Sequence, residues 1–362
     1  MKFCDKRGNP LHTDPENQPR KSNVTSTINH SEGGGVAMKK WCVAAVAIAV
    51  SVCLFAPGVQ AQGNWPAKPV KIIAVFPPGG SVDQVSRILG AKLSKQLGQQ
   101  FIVENKGGAS GSIGAAAIAS SPPDGHTFGI VFDTHAVNPS IIPKMPFDTL
   151  KDLSSVMLLS TAAMAIVTHK SQPYKDFRDL LAAAKKKPRG VAYGSIGAGS
   201  LGHLAMTQIG NILNIEFNHI PYRGGGPLMN DAVSGQVPVA IGTVFLTNPH
   251  VQGGKVRALA VTSPKPTPQM PGVKTVADQG VPNYSALAWW GVIAPAKTPP
   301  PLINRMYEEL NKAIKDPEVA QKLTMQGMDL VGGKPAELDR FLKNEIDRWA
   351  KVVRDNKIAI GD

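Results

Sequence analysis

Beyond residue 65 the chain alternates short apolar runs with stretches of helical spacing, and glycine-rich turns separate them. Residues 70–76 are apolar except Lys71 and are bounded by turn residues, which predicts a strand buried on both faces. After Pro77-Pro78-Gly79-Gly80, the spacing of Val82, Val85, Leu89, Leu93 and Leu97 is helical, with Ser81 and Gln84 expected to form a capping box. The unit then repeats, with a strand at 101–103, a glycine-rich loop at 107–111, a helix at about 112–120 and a strand at 127–132. Apolar runs at 156–159 and 165–167 precede a helix at 176–187. A second series follows: strand 190–193, loop 194–199, helix 201–213, strand 215–220, loop 222–226, a helix from Pro227, and strands at 237–241 and 256–261. Such alternation implies α/β architecture built on largely parallel sheets.

Two series imply two lobes. An aromatic strand at 288–294 and helices at about 301–315, 317–326 and 335–356 complete the chain, and they are too few to form a third body. They are expected to pack back on the first lobe, so that the chain crosses between lobes twice. The expected division is 62–169 plus 286–362 for lobe 1 and 170–285 for lobe 2.

The N-terminal region reads differently. Met38-Lys39-Lys40, an uncharged apolar stretch at 41–55 and Val59-Gln60-Ala61 make a secretory signal peptide over 38–61, cleaved after Ala61. The apolar run is too short for a membrane span, and Val52 before Cys53 does not suit a lipidation site. Residues 1–37 are polar and fit no targeting signal, which points to a translation start at Met38. The expected product is an exported, periplasmic, monomeric protein.

Composition narrows the chemistry. Cys4, Cys42 and Cys53 all precede the cleavage site, so the mature body forms no disulfide and no cysteine-ligated metal site. The six remaining histidines show no paired spacing, and no metal or cofactor is expected. Of 39 Lys+Arg and 26 Asp+Glu, 7 and 4 fall within residues 1–61, leaving a net charge of +10. That excess suits an anionic ligand or simply a solvated surface. Lys185-Lys186-Lys187 ends a predicted helix and has no interleaved aromatic residues, so nucleic acid is not an expected partner.

In open α/β sheets, ligands bind beyond the C-terminal ends of strands. This chain places small residues there four times, at Gly79-Gly80-Ser81, Gly108-Ala109-Ser110-Gly111, 195–200 and Gly224-Gly225-Gly226. Each alone is a tight turn; two per predicted lobe point to a shared cleft for an anion. Gly197-Ala198-Gly199-Ser200-Leu201-Gly202 matches a dinucleotide fingerprint, but Glu216 lies at the start of its strand, where a ribose-binding carboxylate does not. The same segment approximates a nucleophile elbow at Ser200, which keeps an exported serine hydrolase as an alternative, although no Asp and His order completes a triad.

These loops also carry a resemblance. WPAKPVKIIAVFPPGGSVD (65–83), VENKGGASGSIGA (103–115), PPDGHTF (122–128), GSIGAGSLGH (194–203), IPYRGGGP (220–227), KTVADQG (274–280) and WGVIAPAKTP (290–299) are similar to the Bug family, periplasmic solute-binding components of tripartite tricarboxylate transporters. The resemblance implies a two-lobed periplasmic-binding-protein (type II) fold with two crossover strands. The implied function is capture of a small carboxylated organic acid, without catalysis, for membrane transporter subunits, or for sensing alone. Carried over by position, the ligand contacts are Gly79, Gly80, Ser81, Asp83, Ser110, Thr134, His135 and Asn138 from lobe 1. From lobe 2 they are Ser195, Ser200, His203, Tyr222, Gly224 and Thr243. Gly242-Thr243 stands where the family often has a polar or acidic residue followed by Ser, which argues against selection of an amino group.

Overall fold

In the computed structural model, which describes residues 65–325, 327–355 and 358, the alternation read from the sequence forms two sheets that share one strand. The expected signal peptide, the upstream extension and all three cysteines lie outside the described residues. In the first sheet, β1 (Val70–Ala74), β2 (Phe101–Asn105) and β3 (Thr127–Phe132) are parallel, in the order β2-β1-β3. In the second, β5 (Ala192–Ser195) lies parallel to β6 (Asn218–Pro221) on one side and to β7 (Val239–Thr243) on the other. Between these parallel groups stand antiparallel strands, so each sheet is mixed and not mostly parallel as the alternation predicts. β9 (Leu287–Pro295) pairs with β3, and β4 (Leu153–His169) pairs with β9, β7, β8 (Val256–Val261) and β10 (Met328–Gly333).

β4 joins the two halves. Residues 153–163 pair with β9 in the first sheet, and residues 164–169 pair with β7 and β8 in the second. The sequence reads as two apolar runs because Ser160, Thr161, Ala162 and Ala163 interrupt the bulky residues, yet the strand is continuous over 17 residues and mostly buried.

Helices cover the sheets: α1 (Ser81–Leu97), α2 (Ser112–Ala119), α3 (Thr134–Ile141), α4 (Phe177–Lys186), α5 (Leu201–Leu213), α6 (Gly225–Ser234) and α7 (Val244–Gln252). α3 and α7 are absent from the sequence reading, since each is short and holds an internal proline, Pro139 and Pro249, which removes a helix hydrogen bond. β10 is missed as well, being a short strand that ends in two glycines. The last helices, α8 (Pro300–Lys315), α9 (Pro317–Thr324) and α10 (Pro335–Asp355), return to the first sheet, where α10 packs on α3 and β4 and α8 on α1.

Neighbouring tryptophans on β9 point to opposite sides. Trp289 meets Phe341 of α10 edge to face at 5.3 Å, whereas Trp290 lies 5.0 Å from Phe132 and 6.3 Å from Phe245 of α7. Both are core residues, 1% and 0% exposed, so neither walls an open cleft.

Candidate functional site

The loops after β1 and β6 meet where the two halves touch. Gly79 takes φ +83°, a left-handed turn that glycine adopts without cost. α1 therefore starts one residue earlier than a capping box at Ser81 requires: Gly80 is the N-cap and no side chain caps the helix. Ser81, the first helical residue, has no hydrogen-bond partner for its hydroxyl among the described residues. Opposite, α6 starts at Gly225 after Gly224 at φ +130°, again with no side-chain cap. A Cβ on Gly80 would stand 3.5 Å from the Gly225 nitrogen, and one on Gly226 would stand 2.8 Å from the Pro78 carbonyl oxygen. The halves thus meet backbone to backbone, and two helix N-termini with free amides converge on one place.

An enclosed space lies at that meeting point, lined by Phe76, Gly80, Ser81, Val82, Phe132, Met164, Ile196, Gly225, Gly242, Thr243 and Leu246. As closed here it has room for about one water molecule. Thr243 Oγ1 caps α7 by accepting from the Leu246 amide at 3.2 Å, which leaves its O–H as a donor. Asp83 is engaged. Its carboxylate accepts from the Gly79 amide at 3.0 Å and from Asn105 Nδ2 at 2.9 Å, and it pairs with Arg87 at 2.9 Å. Burial works to raise its pKa, but Arg87, the Gly79 amide and Asn105 together hold the carboxyl below its ordinary range.

A wider groove opens outward past Phe76 and Ile196 and includes Asn105, Ser110, Gly197, Tyr222 and Arg223. Ser110, at φ +53°, donates from Oγ to the Ala198 carbonyl across the cleft at 2.7 Å. Asn138 Nδ2 donates to the Ser110 carbonyl at 3.0 Å and so supports that contact from α3. The Tyr222 hydroxyl donates to Asp231 Oδ2 at 2.8 Å, and burial followed by that carboxylate pushes its pKa up to about 12.

The loop at 195–200 satisfies itself. Ser200 caps α5 by accepting from the His203 amide, and it donates to Ser195 Oγ at 3.1 Å. Ser195 Oγ also lies 2.7 Å from His219 Nε2, and the Gly199 amide donates to His203 Nδ1 at 3.0 Å. That last bond requires an unprotonated Nδ1 on His203. The two imidazoles stack at 4.0 Å with planes 6° apart, and burial lowers His203 to about pKa 4 and His219 to about 3. Both serines are 0% exposed and spent on the loop, an arrangement unlike an accessible nucleophile. Among the described residues, no group of three or more His, Cys, Asp and Glu side chains stands close enough to hold a metal.

The sequence-derived residues therefore separate. Gly80, Ser81 and Thr243 line the inner space with Gly79 and Gly224 beside it, Ser110 and Tyr222 line the outer groove, and Ser195, Ser200, His203, Asp83 and Asn138 brace the loops. Thr134 and His135, at the start of α3, are both buried and line neither the inner space nor the outer groove. His135 is buried, stacks on Phe147 at 6.3 Å, and lines a separate recess with Thr149 and Asp339. Its pKa falls to about 4 through burial. Asp133, which the motifs do not single out, is fully buried with neither oxygen completing a hydrogen bond, and burial raises its pKa well above the ordinary range. Phe76, Val82, Phe132, Met164, Ile196, Gly225, Gly242 and Leu246 line the cavity without being among the sequence-derived contacts. Of these, Ile196 and Gly225 lie in the small-residue loops and Gly242 beside Thr243; the others carried no signal.

The sequence and the fold are matched by known proteins. The profile of the TctC family, described as tripartite tricarboxylate transporter family receptor, matches residues 85–358. The chain belongs to this family. Protein BugT of Bordetella pertussis is 33% identical over 315 residues, covering 86% of this chain and 96% of BugT. The structure of R. palustris Rpa4515 with adipate superposes with TM-score 0.79 at 32% identity, covering 82% of this chain and 99% of that one. MatC (Rpa3494) from Rhodopseudomonas palustris with bound malate gives 0.75 at 27% identity, over 80% and 99% of the two chains. The Bug resemblance and the two-lobed binding-protein fold that it implied are thereby shown.

Proposed function

We propose that this TctC-family receptor works in the periplasm, closes its cleft over a small carboxylated organic acid, and delivers it to tripartite-type membrane transporter subunits. The observation that carries the reading is the convergence of two uncapped helix N-termini, α1 and α6, on one enclosed space. Each presents free amides and the positive end of a helix dipole. A carboxylate between them satisfies both helices at once, so the anion itself favours the closed arrangement. Adipate and malate in the related structures fit this chemistry.

In this reading the Gly79–Ser81 backbone and the Ser81 hydroxyl hold the head group from lobe 1. Gly224 and Gly225 amides hold it from lobe 2, with Thr243 at the wall. Ser110 and Tyr222 latch the rim, Asp83 and Asn138 shape lobe 1, and Ser195, Ser200 and His203 shape lobe 2. Residues 62–169 with 286–362 and residues 170–285 serve as the two lobes of a monomer, hinged on β4 where its pairing passes from one sheet to the other. Periplasmic placement rests on the signal-like sequence at 38–61 and on the family; among the described residues no helix is long and apolar enough to cross a membrane.

The test is a thermal-shift panel of organic acids on mature protein, followed by scattering. A ligand at 100 times its Kd should add about 2.7 kcal/mol of stability. Saturating it should shrink the radius of gyration, while Tyr222→Ala weakens binding at little cost to folding. An acid of micromolar affinity that leaves the radius unchanged, and that Tyr222→Ala binds equally well, would mean that the ligand sits within one lobe. Ester turnover abolished by Ser200→Ala would instead favour a hydrolase.

A further inference from the structure

We infer that the acid this cleft selects carries a single carboxylate on an apolar body, aromatic or aliphatic, and is neither a di- or tricarboxylate nor an amino acid. The inference deepens the receptor reading above and rests on it. Its basis is the make-up of the lining. The free amides of α1 and α6 and the uncommitted Ser81 hydroxyl are enough for one head group. Around them the walls are Phe76, Phe132, Met164, Ile196 and Leu246, all buried.

None of the lining side chains is charged. The one further polar side chain, Thr243, accepts from the Leu246 amide with Oγ1 and keeps its O–H as a single further donor. A second carboxylate set against Phe76, Phe132 or Met164 would find at most that one hydroxyl, which disfavours it. An ammonium group would need an acceptor, and the nearest acidic side chain of the α1 turn, Asp83, is already bound to Gly79, Asn105 and Arg87. Arg223 and Asn105 offer polar groups only in the outer groove, beyond the shared walls of Phe76 and Ile196. Met164, on β4 beside the change of sheet, gives those walls an adaptable surface suited to bodies of differing shape.

Calorimetry on the mature protein with benzoate, hexanoate, adipate, malate, citrate and glutamate tests this directly. Benzoate or hexanoate should bind at least tenfold more tightly than any of the other four, and Gly80→Val should abolish that binding. Leu246→Lys, which sets a cation in the apolar wall, should lower benzoate affinity at least tenfold and raise that for malate. The wild-type ranking decides the matter if that variant fails to fold. Should adipate, malate, citrate or glutamate bind as tightly as the monocarboxylates, with Gly80→Val still abolishing it, the apolar-body inference is overturned while the receptor reading stands. If none of the six binds, or binding survives Gly80→Val, the cleft reading itself falls and this inference with it.

Discussion

The loop at 77–81 and the loop at 195–200 are built from the same residue types and end in opposite states. Both run from a strand through glycines to a serine at a helix start. In the second, Ser200 is the N-cap, so its hydroxyl is consumed by the His203 amide and by Ser195. In the first, the left-handed Gly79 moves the helix start by one residue, Gly80 becomes the N-cap, and Ser81 keeps a free hydroxyl above uncapped amides. One residue of register thus separates a self-satisfied brace from a loop whose amides and hydroxyl remain free. The lesson concerns reading motifs: a serine after glycines is informative only once its helix position is known.

Breaking the open loop should have the largest effect. Gly80→Val places a branched side chain against Gly225, whose nitrogen is 3.5 Å from the Cβ position, while φ −83° suits valine. Ligand affinity by calorimetry should fall by a factor of about 100 or more, with Tm nearly unchanged because the clash arises only on closure. Ser81→Ala should cost about tenfold in affinity, the loss of one hydrogen bond to a charged group, and leave Tm unchanged since no cap is lost. Ser200→Ala should reverse that pattern. Losing an N-cap costs about 1 kcal/mol, a fall of about 2 °C in Tm, with affinity changed less than about threefold. Equal effects of the two serine variants on both readouts would dissolve the comparison.

The smallest expected effect concerns pH. His203 and His219 are held neutral in the fold, near pKa 4 and 3, against about 6.5 when unfolded. As pH falls below about 6.5 the unfolded chain binds protons first, so the stability these residues contribute is present above that value and is lost progressively towards pH 4 and 3. Asp133, its pKa raised by burial, acts in the opposite sense, which makes a difference measurement the clean one. The slope of Tm against pH between 6.5 and 4 should be shallower in His219→Asn than in the wild type. Identical slopes would show that the stacked pair does not brace the loop through its neutral form.

How much was legible follows the range of the interactions. The βα units, the four glycine loops and most strands could be read because periodicity and turn chemistry are local. β4 was read as two runs, since small residues at 160–163 hide a strand whose continuity is set by partners in two sheets. α3 and α7 were hidden by Pro139 and Pro249. At the candidate site, Gly80 and Ser81 were legible from loop position, and Thr243 only through the family resemblance. Phe132, Met164 and Leu246 look like ordinary core residues, and only the apposition of two lobes makes them walls. The burial of His135 was hidden as well, because it follows from a helix that the sequence did not reveal.

The shared strand β4 has a consequence for folding. Because residues 153–163 and 164–169 belong to different sheets yet to one uninterrupted strand, melting either half removes a central strand from the other. The described residues accordingly belong to a single compact unit despite the cleft through them. Unfolding should therefore be one cooperative transition, seen alike by tryptophan fluorescence of β9 and by signals from the second sheet. A chain cut to either lobe alone would keep an exposed half-strand with no partner, an edge that invites association.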